Sequence, residues 1–388
     1  MPRLLIIADD LTGANDTGVQ FARRGIPTLV AVDVGSGARG DGFEVLVVNT
    51  ESRHLAPPAA AERVRAAVSR GRGDGAEYFY KKTDSTLRGN LGSELDALMD
   101  ATRKRALPFV PAFPRLGRTT CHGAQYVGDE LLHETAFARD PLDPITESDV
   151  ARVIGQQSSR RARIVGRREA AELEEGIYIF DALTDADLGH IGRWLARRGL
   201  LGVSAGSAGF AEQLADLLDL ARRPAPEPRG SGPMLVVNGS LNEVSLAQIA
   251  RAERDGWAVV TLPEEGAESA EVDRVIAAGR DVVLRSGAPG GQRLTRPGVA
   301  ESLGRIAALA LARGGFGRLA VFGGDTLLAV ARACGWAALL PRAEILPGVV
   351  LAEVAGREGE LLLITKAGGF GPENLLRQIR DYRGGREQ

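Results

Sequence analysis

Lysine is scarce in this 388-residue chain: only four of its 48 basic residues are lysine, and the rest are arginine. Three of the four, Lys81, Lys82 and Lys366, lie in short clusters rich in glycine, aspartate or serine. A compact ammonium beside a glycine-rich turn suits a phosphate or carboxylate better than the broad guanidinium of arginine does. The pattern favours anion binding, with ordinary solvated surface charge as the alternative.

Cysteine is almost absent too, with two residues in the chain. Cys121 and Cys334 stand alone, which is typical of a reducing cytosol and excludes a thiolate metal cluster. No apolar stretch approaches the ~20 residues that a membrane-spanning helix needs, and acids directly follow the first apolar run. We therefore expect a cytoplasmic protein with no signal peptide and no membrane partner.

An excess of positive charge is also lacking, since the formal net charge is -2. This balance argues against a basic face for nucleic acid, so no nucleic-acid partner is expected. The last histidine is His190. The G-x-S-x-G pattern at residues 202–206 therefore has no later histidine to complete a hydrolase triad.

A segment rich in proline and glycine divides the chain. Four prolines and two glycines fall within residues 221–233, a composition that holds neither a helix nor a sheet ladder. The sequence predicts an N-terminal domain over residues 1–222, a linker over 223–232 and a C-terminal domain over 233–388. Two domains agree with the length of the chain.

Short apolar strands alternate with helical stretches in both domains. Leu4–Ala8, Val45–Asn49 and Tyr78–Lys82 are strand candidates, and the first helix is expected over residues 17–24. Continuously apolar strands indicate sheets buried on both faces. The prediction is an α/β protein of two doubly wound α/β domains with mainly parallel sheets. Ligands of such sheets bind beyond the carboxyl ends of the strands. The prediction also places the active site in the cleft between the two domains.

Two polar groups follow predicted strands of the N-terminal domain. Asp9 and Asp10 come directly after the first strand, where carboxylates can orient a hydroxyl or act as a general base. A helix cap with favourable acids is the alternative interpretation. Arg53 follows a later strand and suits a carboxylate ligand, although taken alone it is typical of a surface residue.

The densest polar cluster begins at the end of the strand Tyr78–Lys82. It places a cation, a carboxylate, hydroxyls and an arginine within seven residues. Its members are Lys82, Thr83, Asp84, Ser85 and Arg88. This mixture of donors and acceptors is what a site for a small polyhydroxy acid needs.

Three glycine turns follow apolar strands in the C-terminal domain. Their candidate nucleotide-binding residues are Ser240, Gly323, Gly324, Asp325, Thr326, Lys366 and Gly368. Backbone N–H groups at glycine turns and helix starts form anion sites suited to phosphates. Asp325 is the candidate ligand for Mg²⁺, which takes few carboxylates and keeps most of its waters.

The stretch over residues 115–150 is rich in glycine, proline and threonine. It is too long for an ordinary connection between two elements. We interpret it as either a functional excursion or a lid.

At these residues the chain resembles the four-carbon acid sugar kinase family. The matching stretches, in family order, are residues 8–14, 82–89, 181–185, 239–240, 323–326 and 366–371. The resemblance implies ATP-dependent phosphorylation of the terminal hydroxyl of threonate, erythronate or their oxo forms. It also implies an N-terminal domain that binds the acid and a C-terminal domain that binds ATP. Asp10, Arg53 and residues 82–85 would contact the acid, while Ser240, residues 323–326 and Gly368 would line the nucleotide.

The mechanism that we infer from this resemblance is a hypothesis. Arg53 and Lys82 hold the substrate carboxylate, and Asp10 or Asp84 accepts the proton of the attacking hydroxyl. The glycine turns and Mg²⁺ stabilise the charge on the phosphates. Alternatives are a non-catalytic, nucleotide-dependent sensor of sugar acids, or an aldolase or dehydrogenase acting on the same acids. The sequence is compatible with a homodimer.

Overall fold

The computed structural model describes residues 1–139, 143–166, 173–223, 228, 230–262, 268–287, 296–357 and 361–382. The chain divides into an N-terminal unit, Met1–Gly35 with Arg39–Arg223, and a C-terminal unit, Pro224–Gln388 with Ser36–Ala38. Half of the predicted linker, residues 224–227 and 229, lies outside the described residues. The linker, the domain bounds and the cleft position of the active site stay predictions.

The N-terminal unit contains strands and helices that alternate along most of its length. In chain order they are β1 (Leu4–Ala8), α1 (Leu11–Ala22), β2 (Thr28–Ala31), β3 (Val45–Asn49), α2 (Pro57–Gly73), β4 (Tyr78–Lys82), α3 (Leu91–Thr102), β5 (Ala106–Val110), β6 (Arg118–Cys121), β7 (Ala124–Val127), β8 (Glu130–Leu131), α4 (Val150–Gly155), β9 (Ala162–Val165), β10 (Gly176–Phe180), α5 (Asp185–Arg197), β11 (Val203–Gly206) and α6 (Ala208–Leu217). Short 3-10 helices cover Pro114–Leu116, Leu132–Glu134 and Ala136–Arg139.

Eight of these strands form a parallel array in the order β2-β3-β1-β4-β11-β5-β10-β9. The connection after β1 runs toward one edge of this array, and those after β3 and β4 run toward the other. Because such crossovers are right-handed, α1 must lie on one face of the sheet, and α2 and α3 on the opposite face. The packing agrees, since α6 contacts both α1 and α5, whereas α3 contacts both α2 and α4.

The C-terminal unit repeats this arrangement. Its elements are β12 (Met234–Asn238), α7 (Glu243–Arg254), β13 (Ala258–Thr261), α8 (Glu268–Ala277), β14 (Val282–Arg285), α9 (Arg296–Arg313), β15 (Arg318–Phe322), α10 (Gly324–Ala333), β16 (Ala338–Leu346), β17 (Val349–Val354), β18 (Leu362–Lys366) and α11 (Leu375–Asp381). The strand order is β13-β14-β12-β15-β18-β17-β16, parallel except for the antiparallel pairs that β17 makes with β16 and β18. The predicted α/β class with mainly parallel sheets is confirmed.

The central strands carry the cores of both units. Residues of β1 and β12 are at most 1% exposed, which explains why all of them are apolar except Asn238 at the end of β12. Helices cover the sheets: α3 and α6 bury mainly apolar residues, whereas α1 is buried along nearly its whole length, including the polar Asn15, Thr17 and Gln20. None of the helices in the described part of the chain combines the length and apolar character of a membrane span.

The first helix begins earlier than the sequence pattern predicts. α1 starts at Leu11 instead of residue 17. The Asp10 side chain accepts a hydrogen bond from the Gly13 backbone N–H at 3.0 Å, which caps the helix. This cap satisfies a free N–H group of the first turn and allows a helix to form over a stretch that contains Gly13.

Candidate functional site

Three neighbouring strands of the N-terminal unit end beside one another at the same edge. β1 pairs with β3 and β4, and its last residue, Ala8, lies opposite Asn49 and Lys82. The loop after β1 leads to a helix on one face, and the loops after β3 and β4 lead to helices on the other. Such a point is where doubly wound sheets form a crevice for ligands.

Arg53 joins the two aspartates that follow β1. Its Nε and Nη2 donate to Asp9 at 2.7 and 3.1 Å, and its Nη1 and Nη2 donate to Asp10 at 3.2 and 2.8 Å. Both carboxylates are therefore held by paired, charge-assisted hydrogen bonds. The structure brings these three predicted site residues together and uses most of the Arg53 donors for them.

Asp10 also has hydrogen bonds within its own loop. Besides capping α1, it accepts a hydrogen bond from Thr12 Oγ1 at 2.9 Å. Its side chain is 16% exposed, compared with 2% for Asp9 and 12% for Asp84. Asp10 is thus the carboxylate of the three that a ligand reaches most easily.

The loop after β4 is held by a second arginine. Arg88 Nε and Nη2 donate to Asp84 at 2.7 and 3.1 Å, and the Thr86 hydroxyl donates to the same carboxylate. Arg53 Nη2 lies 4.0 Å from Asp84 Oδ1, which connects this loop to the aspartates after β1. The predicted residues Asp84 and Arg88 therefore belong to one cluster with Asp9, Asp10 and Arg53.

Lys81 and Lys82 are adjacent in sequence but have different surroundings. Lys81 is fully buried, where its Nζ lies 3.1 Å from Glu94 Oε2 and donates to the Lys82 carbonyl at 2.8 Å. Lys82, by contrast, has no hydrogen bond or ion pair at its ammonium within the described residues. Lys81 is a structural cation, whereas Lys82, although only 5% exposed, keeps its donors free of partners in the described structure.

The charges in the cluster shift the acid–base properties of its carboxylates. Burial opposes ionisation of Asp9, but the Arg53, Lys81 and Lys82 charges outweigh it and lower the pKa of Asp9 to about 2. Burial likewise opposes ionisation of Asp84, yet the charges of Arg88, Arg53 and Lys82 hold its pKa well below the ordinary value. Both groups are carboxylates at neutral pH, as ligands of arginine must be.

The predicted residues Thr83 and Ser85 line the same loop. The Thr83 hydroxyl is buried without a hydrogen-bond partner among the described residues. Ser85 accepts a hydrogen bond at its carbonyl from Gln125 Nε2, at 2.8 Å. Gln125, in β7, is a contributor that the sequence pattern does not indicate, because the contact spans 40 residues.

Gly13 provides a test of this packing. A Cβ at Gly13 would lie 2.4 Å from Asp10 Oδ1 and 3.0 Å from Lys82 Nζ. Arg53 and the cap fix the Asp10 carboxylate, so an added Cβ would push this side chain out of its capping position. We therefore expect Gly13→Ala to destabilise the protein by about 1–2 kcal/mol, the cost of a lost helix cap. Urea unfolding measures this change, and turnover is expected to fall with it.

Gly73 offers a matched helical control. A Cβ there meets nothing within 4 Å. Gly73→Ala is therefore expected to stabilise the protein by about 0.5–1 kcal/mol, because alanine lowers the conformational entropy of the unfolded chain. Equal stabilisation by both substitutions would contradict the close approach of Gly13 to Asp10 and Lys82.

The three glycine turns of the C-terminal unit converge in space. A Cβ at Gly239 would lie 2.2 Å from Thr326 Oγ1, and one at Gly368 would lie 2.2 Å from Ser240 Oγ. Gly323 has a φ of +103° and approaches Ser240 as well. The loops after β12, β15 and β18 therefore touch one another, and glycine is required where they meet.

The N-terminus of α10 lies at this meeting point. The helix starts at Gly324, and no side chain caps it in this described segment. Uncapped N–H groups and the helix dipole favour an anion such as phosphate. Gly323, Gly324, Asp325 and Thr326 thus form the kind of turn that the sequence predicts.

Asp325 is half-buried in the first turn of α10. In the described parts of the chain, no group of three or more His, Cys, Asp or Glu side chains is arranged to hold a metal. Mg²⁺ in nucleotide sites takes one or two carboxylates and completes its shell with waters and substrate phosphates. A single carboxylate beside an anion-binding turn therefore fits this ion.

Lys366 holds the glycine turn that follows β18 through hydrogen bonds to its backbone carbonyls. It is fully buried, and its Nζ donates to Ser245 Oγ at 2.9 Å, to the Gly368 carbonyl at 2.9 Å and to the Ala367 carbonyl at 3.2 Å. The Nζ also lies 4.4 Å from the centre of the Phe322 ring. The structure favours a positioning role for Lys366, because its three hydrogens all face acceptors within the protein.

Two further residues of α7 hold the turn and were not indicated by the sequence. Ser245 Oγ donates to the Gly368 carbonyl at 2.8 Å. Gln248 Nε2 contacts the carbonyls of Phe370, Gly371 and Pro372, each at 3.0 Å. A serine and a glutamine on an amphipathic helix carry no distinctive spacing, so only the structure shows them.

The buried position of Lys366 predicts a pH dependence of nucleotide binding. Burial lowers the pKa of Lys366 to about 7, so its charge is present below pH 7 and is lost as the pH rises through 7. Loss of the proton removes positive charge beneath the turn and leaves one acceptor without a donor. We expect nucleotide affinity, measured by calorimetry, to fall by about three- to tenfold between pH 6 and pH 8.

Lys366→Met removes the titrating group and provides the control. Ionisation of the nucleotide phosphates affects both proteins equally, so the variant is expected to bind more weakly with a flatter pH dependence. The same slope in the wild type and the variant would contradict this role of Lys366.

Comparison with known proteins adds a second set of observations. Residues 4–214 match the model of a sugar-binding N-terminal domain, and residues 235–376 match that of a nucleotide-binding C-terminal domain. A Bordetella bronchiseptica protein named D-threonate kinase is 37% identical over 97% of this chain and 96% of its own length. A Cupriavidus necator protein named 3-oxo-tetronate kinase is 32% identical over 97% of both chains.

Solved structures agree with the fold. A Salmonella typhimurium protein superposes with a TM-score of 0.81 at 24% identity, covering 97% of this chain and 98% of the other. A Bordetella bronchiseptica protein, described as a domain-swapped dimer with bound citrate, matches with a TM-score of 0.50 at 32% identity over 98% of both chains. With both domain models matched in order and near-complete coverage by named kinases, this chain belongs to the four-carbon acid sugar kinase family.

Proposed function

We propose that the protein is an ATP-dependent kinase that phosphorylates the 4-hydroxyl of a four-carbon sugar acid such as D-threonate, D-erythronate or 3-oxo-tetronate. The observation that carries this proposal is the reachable Asp10 carboxylate beside the Lys82 ammonium, which has no partner among the described residues, at the carboxyl ends of β1, β3 and β4. A base and a cation so close together suit a hydroxyl that must lose a proton near an anionic group. The names of the relatives support the substrate class.

Asp10 is the base in this proposal. Its carboxylate accepts the proton of the 4-hydroxyl, the freed oxygen forms a bond to the γ-phosphorus of ATP, and the bond from that phosphorus to the bridging oxygen of ADP breaks. Asp84 is the weaker candidate because Arg88 and Arg53 hold its pKa well below the ordinary value. Asp84 instead orients Arg88 and the loop of residues 82–89, while Asp9 keeps Arg53 in place.

The C-terminal unit supplies the site for ATP. Ser240, the turn at residues 323–326 and Gly368 would surround the phosphates, and Asp325 would hold Mg²⁺. Mg²⁺ supplies charge neutralisation for the phosphates when bound. The chain's own contribution is the uncapped start of α10, which presents N–H groups to an anion, and the turn that Lys366 supports.

Nothing favours the rival functions that the sequence leaves open. A sensor would bind ATP and the sugar acid but would release no ADP. An aldolase would need a lysine that forms a Schiff base, and the relatives' names give no support to it or to a dehydrogenase. Location in the cytoplasm stays a prediction of the sequence.

A dimer is part of the proposal as well. The Bordetella bronchiseptica structure that is described as a domain-swapped dimer supports it. Light scattering coupled to gel filtration gives the mass in solution. A mass near 82 kDa, twice the 41.0 kDa of one chain, is expected, and a single-chain mass at all concentrations would overturn it.

The experiment for the activity is ADP release with Mg²⁺-ATP over a panel of D- and L-threonate, D- and L-erythronate and their 2- and 3-oxo forms. Turnover of one acid far above the rest is the expected result. Binding of ATP and of an acid without any ADP release would favour the sensor instead.

A further inference from the structure

Arg118 belongs to a small antiparallel sheet that is attached to the loop after β4. This sheet has the order β6-β7-β8, and Arg118 is the first residue of β6. Thr120 Oγ1 donates to Gln125 Oε1 at 2.7 Å, and Gln125 Nε2 donates to the Ser85 carbonyl at 2.8 Å. Because side chains alternate along a strand, Arg118 lies on the same face of β6 as Thr120. That face is the one directed at the candidate site.

Phe137 connects Arg118 to the site arginines. The Arg118 guanidinium lies 5.4 Å from the centre of the Phe137 ring, and the Arg88 guanidinium lies 5.9 Å from it. One aromatic ring thus contacts both cations, which favours their charged forms. Arg88 in turn holds Asp84, so Arg118 is part of the surroundings of the predicted site.

The arginines differ in how many of their donors are used. Arg53 makes four hydrogen bonds to Asp9 and Asp10, and Arg88 directs Nε and Nη2 at Asp84. Within the described residues, Arg118 makes one side-chain hydrogen bond, from Nη1 to the Leu116 carbonyl at 2.8 Å. Its Nε is buried and lacks a partner among the described residues.

The Arg118 donors that have no partner in the described part of the chain indicate a ligand. A buried N–H group without a partner is costly, and a guanidinium offers five N–H groups in a planar fork. Burial lowers the pKa of Arg118, and the neighbouring Asp84 opposes this effect. Even so, arginine keeps its charge at neutral pH. Carboxylate is the ligand that fits an unoccupied guanidinium best, since it accepts two parallel hydrogen bonds.

We propose that Arg118 binds the carboxylate of the sugar acid and so selects acids over neutral polyols. This inference rests on the proposed kinase function. It assigns to Arg118 the role that the sequence favours for Arg53, whose donors already serve Asp9 and Asp10. Lys82 remains the cation next to Asp10, beside the reacting hydroxyl. The stretch over residues 115–150 then contributes a specificity residue to the site.

The test compares Arg118→Ala and Arg118→Lys with Arg115→Ala. Arg115 is a matched control because it lies on the same segment, with its guanidinium 5.6 Å from the centre of the Phe113 ring. We expect Arg118→Ala to raise the KM for the preferred acid and its calorimetric Kd by about 10- to 100-fold, the effect of a lost hydrogen bond to a charged group. The KM for ATP is expected to stay within about threefold, and added guanidinium ion is expected to restore part of the lost affinity.

If Arg118 has only a structural role, the Arg118→Ala variant is expected to behave differently. It would lower thermal stability and weaken ATP and acid binding together, and guanidinium ion would not rescue it. Wild-type affinity for the acid in Arg118→Ala, or the same loss in Arg115→Ala, would overturn the inference. If the wild type turns over no acid at all, the kinase proposal fails separately, and the calorimetric comparison with D-threonate still decides the role of Arg118.

Discussion

Asp10→Asn is expected to lower kcat by about 10²- to 10⁴-fold, the range for loss of a positioned general base. The substitution removes the proton acceptor but leaves an N-cap residue, since asparagine caps helices as well as aspartate does. Arg53 keeps Asp9 as its partner. Steady-state kinetics at saturating ATP and acid measure the change, and circular dichroism establishes that the fold is retained.

Asp84→Asn is the comparison that separates the two carboxylates. Asp84 holds Arg88 and Thr86 in the loop, so its loss is expected to raise the KM for the acid more than it lowers kcat. If Asp84→Asn abolishes turnover while Asp10→Asn keeps most of it, the roles are reversed. If both variants turn over at near wild-type rates, neither carboxylate is the base.

Arg53→Met is expected to destabilise the protein by about 3–5 kcal/mol, the cost of removing one partner from a buried ion pair. Asp9 is only 2% exposed and would lose both hydrogen bonds from the guanidinium. Lys81 and Lys82 would remain nearby but make no hydrogen bond to it within the described residues. Denaturant unfolding measures the loss.

Arg3→Met is the matched control for Arg53→Met. Arg3 also pairs with a carboxylate, Glu77, at 2.8 Å, but the two side chains are 32% and 52% exposed. An exposed pair contributes about 0–1 kcal/mol. If both variants lose the same free energy of unfolding, burial of the Arg53 pair does not explain its contribution to stability.

The pH dependence of the stability of Arg53→Met gives a second test, because the direction of the change is fixed by the pKa of Asp9. In the wild type the pKa of Asp9 is lowered to about 2, so its contribution to stability is present above the unfolded pKa of about 3.9 and is lost as the pH falls toward 2. Without the guanidinium, burial is expected to raise that pKa. The deficit of the variant should then shrink between pH 7 and pH 4.5, and a constant deficit would contradict this account.

The α/β architecture was largely predictable from the sequence, and so was the grouping of polar side chains after β1, β3 and β4. Buried parallel strands such as β1, β3 and β4 have continuous apolar sequences, and polar clusters directly after them are conspicuous. By contrast, β16 and β17 form an antiparallel hairpin with a register shift after Pro341. Proline and the charged Arg342 and Glu353 interrupt the apolar pattern there, so the hairpin was not predicted.

The connections within the site were less predictable. Lys81, Lys82 and Lys366 look alike in sequence, yet only Lys82 presents an ammonium without an internal partner in the described structure. Arg118 lies 29 residues beyond the end of the loop of residues 82–89, and no local pattern distinguishes it from the other arginines. Which side chains pair with each other is decided by packing between distant segments.

The most direct measurement for the central claim is the proton-coupled ³¹P NMR spectrum of the reaction product formed from ATP and the preferred acid. Transfer to the 4-hydroxyl gives a phosphate ester on a CH₂ group, so a triplet is expected beside the resonances of ADP. A doublet would place the phosphate on a secondary hydroxyl. Inorganic phosphate alone would show that ATP is hydrolysed and that the sugar acid is not the acceptor.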